Sequence, residues 1–147
     1  MNSETVGRPM EILLVEDDLE DAGLTIEALR EGDVACRVSL VRDGVEALEF
    51  LYQHGKYARA PRPDLILLDL QLPKKDGREV LLEVRNEKHL RRIPVVVLTV
   101  SAGHRKILRE ENLHVEAYLM KPVDVEAFIE AVKSLRKFLH SEVIMPS

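Results

Sequence analysis

The chain has 147 residues, of which 46% are hydrophobic and 32% charged, and its formal net charge at pH 7 is -5. This length suits one domain and leaves no room for a second catalytic or DNA-binding module, and the negative charge argues against a nucleic-acid surface. The sequence has neither a signal peptide nor a run of roughly 20 apolar residues, and its lone Cys36 excludes an intramolecular disulfide. We therefore expect a soluble, cytoplasmic protein without a membrane or nucleic-acid partner.

The first half of the chain predicts two strands and two helices. An apolar run over residues 12–15 suits a buried strand and ends in the acids Glu16, Asp17 and Asp18. Residues 19–31 predict a helix that Gly32 stops. A second strand over 35–41 and a helix opened by Asp43 follow, and the polar, turn-prone stretch from 53 to 63 predicts a loop.

The second half repeats the alternation three times. Each of its apolar runs ends in a polar residue and is followed by a predicted helix, of which the middle one is polar and only loosely amphipathic. The predicted strands are residues 65–68 before Asp69, 95–98 before Thr99, and 117–120 before Lys121. The predicted helices are one capped by Asp76, a short one over 103–112, and one that follows Asp124 and has apolar residues as far as Leu139. Five alternations of strand and helix predict a doubly wound parallel sheet in a three-layer α/β sandwich.

The strand ends predict one site. In a parallel sheet they meet at the same edge, where open α/β sheets bind ligands, so acids, a hydroxyl and an ammonium group converge there. Crowded carboxylates repel each other unless a cation shares the site, and oxygen ligands without His or Cys favour Mg²⁺. Asp69 is then a candidate nucleophile for phosphoryl transfer. Each residue alone is more simply a cap, a strand residue or a surface lysine.

These residues resemble the receiver domains of two-component response regulators. The likeness runs from Met10 to His140 and includes the Glu16-Asp17 pair, the Asp69 strand, Thr99 and Lys121-Pro122. The separations of 30 residues from Asp69 to Thr99 and 22 from Thr99 to Lys121 match such domains. The stretch over 52–63 is similar to the single-domain subgroup that includes regulators of cyanobacterial phytochromes.

The resemblance implies a flavodoxin-like (βα)5 sandwich of strand order 2-1-3-4-5 and a signalling domain that is not an enzyme beyond its own phosphorylation and dephosphorylation. Asp69 would accept a phosphoryl group from a sensor histidine kinase, possibly phytochrome-like in kind, or from a phosphotransfer protein. The implied roles are Mg²⁺ binding by Asp17, Asp69 and the carbonyl of Gln71, with Glu16 acting through water; a switch formed by Thr99 and Tyr118; and a bridge from Lys121 to the phosphate.

Two other classes of function compete with this interpretation. A Mg²⁺-dependent phosphatase with an aspartyl nucleophile would carry a second acid two residues later, where this chain has Gln71. A flavodoxin-like nucleotide binder would need a glycine-rich or hydroxyl-rich loop after the first strand, whereas Glu16 and its neighbours repel phosphate. Signalling by protein contact is therefore favoured.

The predicted domain boundaries leave a tail at each end. Residues 1–10 predict a disordered N-terminal tail, residues 11–140 the receiver domain, and residues 141–147 a C-terminal tail. Residues 143–145 are apolar and have no role inside a completed five-stranded domain. We expect them to support a homodimer, with the fourth and fifth helices and the fifth strand; folding back or fraying is the alternative.

Overall fold

The computed structural model describes residues 7–70, 76–99, 109 and 114–146. Five parallel strands form one sheet in the order β2-β1-β3-β4-β5, which confirms the predicted doubly wound fold. The strands are β1 (Met10–Val15), β2 (Cys36–Val41), β3 (Leu65–Asp69), β4 (Val95–Thr99) and β5 (Ala117–Met120). The described helices are α1 (Leu19–Glu31), α2 (Gly44–Leu51), α3 (Gly77–Asn86) and α4 (Val125–Ser134). The predicted helix over 103–112 lies outside the described residues, apart from residue 109.

The register of the strands brings their carboxyl ends to one edge. Asp69 lies opposite Leu98, the residue before Thr99, and Thr99 lies opposite Met120, the residue before Lys121. The Lys121 N–H donates to the Thr99 carbonyl at 2.9 Å and extends that pairing by one residue. The polar residue that ends each apolar run is thus held level with its neighbours by the backbone ladder.

The two faces of the sheet bury two cores. Alternate residues along a strand point to opposite faces, so Leu13 and Ile66 pack on the side of α2 and α3, whereas Ile12 and Leu67 pack on the side of α1 and α4. Phe128 of α4 is fully buried in the second core. Burial on both sides explains why the strands read as continuous apolar runs rather than alternating ones.

An aspartate caps the amino-terminal end of each of the helices α1 to α4. The carboxylates of Asp18, Asp43, Asp76 and Asp124 accept hydrogen bonds from backbone N–H groups in the first turn. Asp76 forms a full capping box with Glu79. These caps satisfy N–H groups that have no partner inside the helix. Asp18, predicted among the acids at the end of β1, therefore serves as a cap.

The last helix is shorter than its apolar pattern predicts. The α-helix ends at Ser134, and a 3₁₀ turn follows over Arg136–Phe138. Within this turn Phe138 N donates to Leu135 O at 2.8 Å, a bond across three residues instead of four. Leu135 stays buried in the second core. Apolar side chains therefore still face the second core beyond the end of the α-helix, because the chain continues there as a 3₁₀ turn.

Residues from both ends of the chain pair at the amino-terminal edge of the sheet. Arg8 and Val143 form a parallel bridge, in which Arg8 N donates to Glu142 O at 2.8 Å and Ile144 N donates to Arg8 O at 2.9 Å. Val143 is buried in the second core. This corrects the expectation that the apolar residues after 140 have no role inside the domain. It also gives residues 7–10 a defined place, with Met10 inside β1.

A buried ion pair ties α3 to β4 and β5. Arg85 donates to a Glu116 carboxylate oxygen at 2.6 Å, and the same oxygen accepts the Val95 N–H at 2.6 Å. Arg85 also donates to the His114 carbonyl at 2.9 Å. The Glu116 side chain is 8% exposed, so its charge depends on these donors.

The helices within the described ranges are too short or too polar to span a membrane. Such a span needs about 20 predominantly apolar residues in one helix. None of the helices in this part of the chain is both long and apolar enough to cross a bilayer.

Candidate functional site

Three carboxylates meet above the carboxyl ends of β1 and β3. Glu16, Asp17 and Asp69 each place one oxygen within 4.8 Å of the other two. Glu16 and Asp69 are buried, and Asp17 is half-buried. The first two residues follow β1 directly and the third ends β3, so adjacent strands deliver all three. The structure thus brings together three of the residues that the sequence singles out.

Lys121 connects two of these acids. Its ammonium lies 2.7 Å from Glu16 Oε1 and 3.0 Å from Asp69 Oδ2, and its side chain is only 11% exposed. Burial would lower the pKa of Lys121, but the hydrogen bonds from its ammonium to Glu16 and Asp69 and the charges of these acids raise it above the usual value. The ammonium therefore stays charged at physiological pH and faces the Asp69 carboxylate.

The charge on Glu16 is not fully compensated. Burial raises the pKa of this carboxyl to about 7; the hydrogen bond from Lys121 opposes the rise, and the neighbouring Asp69 carboxylate adds to it. One ammonium cannot balance three crowded acids in a buried position. A further positive charge is what the cluster lacks.

A divalent cation fits this set of donors. Every side-chain ligand is a carboxylate oxygen, the type that Mg²⁺ and Mn²⁺ bind, whereas zinc favours nitrogen and sulfur. The uncompensated Glu16 carboxyl and the short spacing of the oxygens are the observations that support this fit. Gln71, whose carbonyl is the other predicted ligand, lies outside the described residues.

Asp21 belongs to this cluster and is missed by the sequence analysis. Its Oδ2 lies 3.2 Å from the Lys121 ammonium, and the residue stands in the first turn of α1. The sequence signal that points to Asp21 is the predicted cap at Asp18. Asp21 lies one helical turn beyond this cap, and its N–H donates to the Asp18 carboxylate at 3.1 Å. Lys121 therefore has three acidic partners, one of them on a helix.

Thr99 and Tyr118 occupy different depths in the structure. Thr99 ends β4 beside the acids and is 4% exposed. Tyr118 lies on β5 opposite Val97, two residues before the strand's carboxyl end, and packs half-buried against the first core. Thr99 therefore ends the strand next to that of Asp69, whereas Tyr118 lies two residues before the end of the outer strand.

Gly77 fixes where Asp69 stands. A Cβ at this position would lie 2.6 Å from the Asp69 carbonyl oxygen and 2.6 Å from Leu70 Cα. Real Cβ atoms essentially never approach so closely, so only glycine lets the start of α3 rest on the end of β3. Its N–H donates to Leu70 O at 3.0 Å and fastens the two elements together. The helix thus supports the strand end that carries the central carboxylate.

Residues 12–133 match the response regulator receiver domain family. The chain is 42% identical over 145 residues to response regulator Rcp1 of Synechocystis sp. (strain ATCC 27184 / PCC 6803 / Kazusa), covering 99% of each sequence. It is 39% identical over 130 residues to the probable methanogenesis regulatory protein FilR2 of Methanothrix harundinacea (strain 6Ac), covering 88% of this chain and 83% of the relative.

Solved structures agree with the sequence relatives. Phosphorylated cyanobacterial phytochrome response regulator RcpA is 47% identical with a TM-score of 0.73, covering 95% of this chain and 99% of that one. The Mn²⁺-bound form of Rcp1 is 43% identical with a TM-score of 0.72, covering 95% and 100%. Bacteriophytochrome response regulator RtBRR has a TM-score of 0.82 at 40% identity, covering 95% and 84%. The chain belongs to the response regulator receiver domain family and is similar to the single-domain regulators of phytochromes.

Proposed function

We propose that the protein is a response regulator that accepts a phosphoryl group on Asp69 from a phosphohistidine, in a reaction that requires Mg²⁺. The observation that carries this proposal is the Lys121 ammonium, which lies 3.0 Å from Asp69 Oδ2 inside an acid cluster. A phosphoryl group joined to Asp69 brings negative charge to this position, and a charged donor already directed there stabilises it. Asp69 itself is the nucleophile.

The transfer forms one bond and breaks another. An Asp69 carboxylate oxygen attacks phosphorus and forms an acyl phosphate, while the bond from phosphorus to the imidazole nitrogen breaks and its electron pair stays on the imidazole. Asp17, Asp69 and the Gln71 carbonyl would hold Mg²⁺, with Glu16 acting through a bound water. When bound, the metal neutralises charge on the phosphoryl oxygens and the carboxylates. Lys121 contributes the second positive charge.

The change in charge reaches the surface through Thr99 and Tyr118. The Thr99 hydroxyl, at the end of β4, donates to a phosphoryl oxygen, and the Tyr118 ring turns inward in response. Support for this role is positional, because Thr99 is buried beside the acids and Tyr118 is half-buried on the outer strand β5. A local charge change is thereby converted into altered protein contacts.

The partners follow from the relatives. A sensor histidine kinase or a phosphotransfer protein supplies the phosphoryl group. A phytochrome-like kinase is favoured because RcpA, which is 47% identical to this chain, is named as a cyanobacterial phytochrome response regulator. We also propose a homodimer through β5, α4, the predicted helix over 103–112 and the tail. Since Val143 is in the chain's own core, Ile144, which is 41% exposed, is the tail residue that supports this surface.

Labelling with acetyl phosphate tests the reaction. Wild-type protein should be labelled once, on Asp69, in Mg²⁺, and not after chelation; Asp69→Asn should remain unlabelled. Asp18→Asn is a matched control because Asp18 caps α1 and asparagine caps nearly as well. Equal labelling of wild type and Asp69→Asn, or labelling that survives chelation, would refute the proposal. Light scattering with and without beryllofluoride, on wild type and Ile144→Ser, tests the dimer separately.

A further inference from the structure

A cavity at the amino-terminal edge of the sheet lies at the opposite end from the acid cluster. Its volume is about 340 Å³, which is within the range of about 300–1,000 Å³ typical of small-molecule sites. The segments that line it precede β3 and β4, follow α4, and include Arg8. None of these residues takes part in the chemistry proposed for Asp69. We call this cavity the basal pocket.

The basal pocket has a cationic rim in an acidic protein. Arg8, Arg62 and Arg92 line it together with one acid, Asp64, although the whole chain carries a net charge of -5. Asp64 is already occupied, because its two oxygens accept from the Arg8 guanidinium at 2.7 and 2.8 Å. The charges of Arg62 and Arg92 are therefore not balanced by the acid beside them.

The two remaining guanidinium groups differ in their partners. Arg62 donates one N–H to the His89 carbonyl, which holds the side chain in place while its other N–H groups stay available. Arg92 is exposed and makes no hydrogen bond or ion pair with any residue in the described ranges. Two arginine forks at one pocket match the three oxygens and double charge of a phosphate better than a single carboxylate, which one fork would saturate.

The rest of the lining is apolar. Pro63, Ile93 and Pro94 are buried and form part of the wall. Phe138 is 45% exposed, and Lys137 Nζ lies 5.3 Å from its ring centroid. An exposed aromatic ring offers a surface on which a flat group can stack.

We propose that the basal pocket binds a small organic phosphate that carries a flat ring, with Arg62 and Arg92 holding the phosphate and Phe138 contacting the ring. This site is separate from Asp69 and forms no covalent bond. A mononucleotide is a suitable probe because it has both parts of this chemistry and a size comparable to the pocket. Inorganic phosphate and adenosine each supply one part alone.

Titration of the full chain with adenosine monophosphate tests the proposal, with chelator present so that divalent cations cannot recruit phosphate to the acid cluster. Calorimetry should give saturable binding below about 10 mM, and amide NMR shifts should appear at Ile93 and Leu139. The double variant Arg62→Gln/Arg92→Gln should weaken binding about tenfold or more, since it removes two charged donors. Phe138→Ala should weaken adenosine monophosphate but leave inorganic phosphate unchanged.

Two comparisons keep the result unambiguous. Arg37→Gln/Arg59→Gln removes the same charge from exposed positions outside the pocket and should bind like wild type. The single variant Arg92→Gln breaks no hydrogen bond within the described ranges, so we expect it to unfold at the same urea concentration as wild type and to bind adenosine monophosphate more weakly. The proposal would be overturned if wild type showed no saturable binding, or if the control variant lost as much affinity as the pocket variant. Tight binding of adenosine alone, or NMR shifts confined to Glu16 and Asp69, would also overturn it.

Discussion

Replacing Gly77 by alanine tests how closely α3 fixes the position of Asp69. The new Cβ would start 2.6 Å from the Asp69 carbonyl oxygen, whereas ordinary contact begins at 3.4 Å, so the end of β3 or the start of α3 must move by about 0.8 Å. Both neighbouring atoms belong to the backbone, so rotation of a side chain cannot relieve the contact. The backbone must therefore move at the contact between α3 and the strand end that carries the carboxylate, and we expect part of this displacement to reach Asp69.

The expected loss of activity exceeds the expected loss of stability. A displacement of about 1 Å at a reacting group can lower a rate roughly 10²-fold, and we expect phosphorylation of Gly77→Ala by acetyl phosphate to slow by about that factor. Overpacking costs about 1–3 kcal/mol, and alanine regains up to about 1 kcal/mol in a helix. The free energy of unfolding should therefore fall by only about 1 kcal/mol.

Gly23→Ala is the matched control. Gly23 also lies in a helix, α1, and a Cβ there would meet nothing within 4 Å. The free energy of unfolding of this variant, measured by urea denaturation, should rise by about 0.5–1 kcal/mol because alanine favours the helix. The variant should be phosphorylated at the wild-type rate. If Gly77→Ala is phosphorylated as fast as wild type and is no less stable, the close approach of α3 to β3 does not position Asp69.

Three further variants test the packing by urea denaturation. Phe128→Ala should lower the free energy of unfolding by about 3–5 kcal/mol, since the ring is fully buried. Arg85→Ala should cost about 3 kcal/mol by leaving the Glu116 charge buried without its partner. Arg8→Ala should cost about 1 kcal/mol at neutral pH, because Arg8 is 36% exposed and its ion pair with Asp64 is partly screened.

The Arg8 variant also has a defined pH dependence. Burial acts to raise the pKa of Asp64, but the hydrogen bonds from Arg8 and from the Glu11 N–H lower it below its usual value. The pair therefore stabilises the fold above the unfolded pKa of about 4, and this contribution is lost as the pH falls through the lower folded-state pKa. Wild type and Arg8→Ala should thus converge in stability in acid. A difference that persists or grows there would contradict this assignment.

The controls for the packing variants use exposed or conservative changes. Arg37→Ala removes an arginine whose side chain is 69% exposed and lies 3.6 Å from Glu11, and this change should alter stability by no more than about 0.5 kcal/mol. Phe128→Leu keeps most of the buried volume and should cost less than alanine. Similar losses for Arg37→Ala and Arg85→Ala would mean that the burial of Glu116 does not determine the effect.

The parallel sheet and the acid edge could be predicted because the signals are local. Each strand is a continuous apolar run, and the residue that ends the run is adjacent in sequence, so Glu16, Asp69, Thr99 and Lys121 follow from one rule about parallel strands. The ends of the elements were harder to predict. The stripe through Leu135 fits an α-helix and a 3₁₀ turn equally well, because both keep the side chain inward.

Contacts between distant segments could not be predicted in this way. Asp21 reaches Lys121 across 100 residues, and Arg85 reaches Glu116 across 31; no pattern within a helix or strand specifies either pair. The placement of Val143 likewise depends on Arg8, with which it forms a bridge near the other end of the chain. Pairing of this kind is decided by how completed elements dock, so it appears only with the three-dimensional structure.

The bridge between Arg8 and Val143 makes the protein suitable for circular permutation. A Cβ on Gly7 would lie 2.7 Å from Ile144 Cγ1, so a linker of a few residues could join the two ends of the domain without crossing the sheet. New ends could be opened at Gly55, which is exposed and has no atom within 4 Å of a Cβ placed there. In such a permutant the strands would be synthesised in a different order, so its structure would show whether the fold depends on that order.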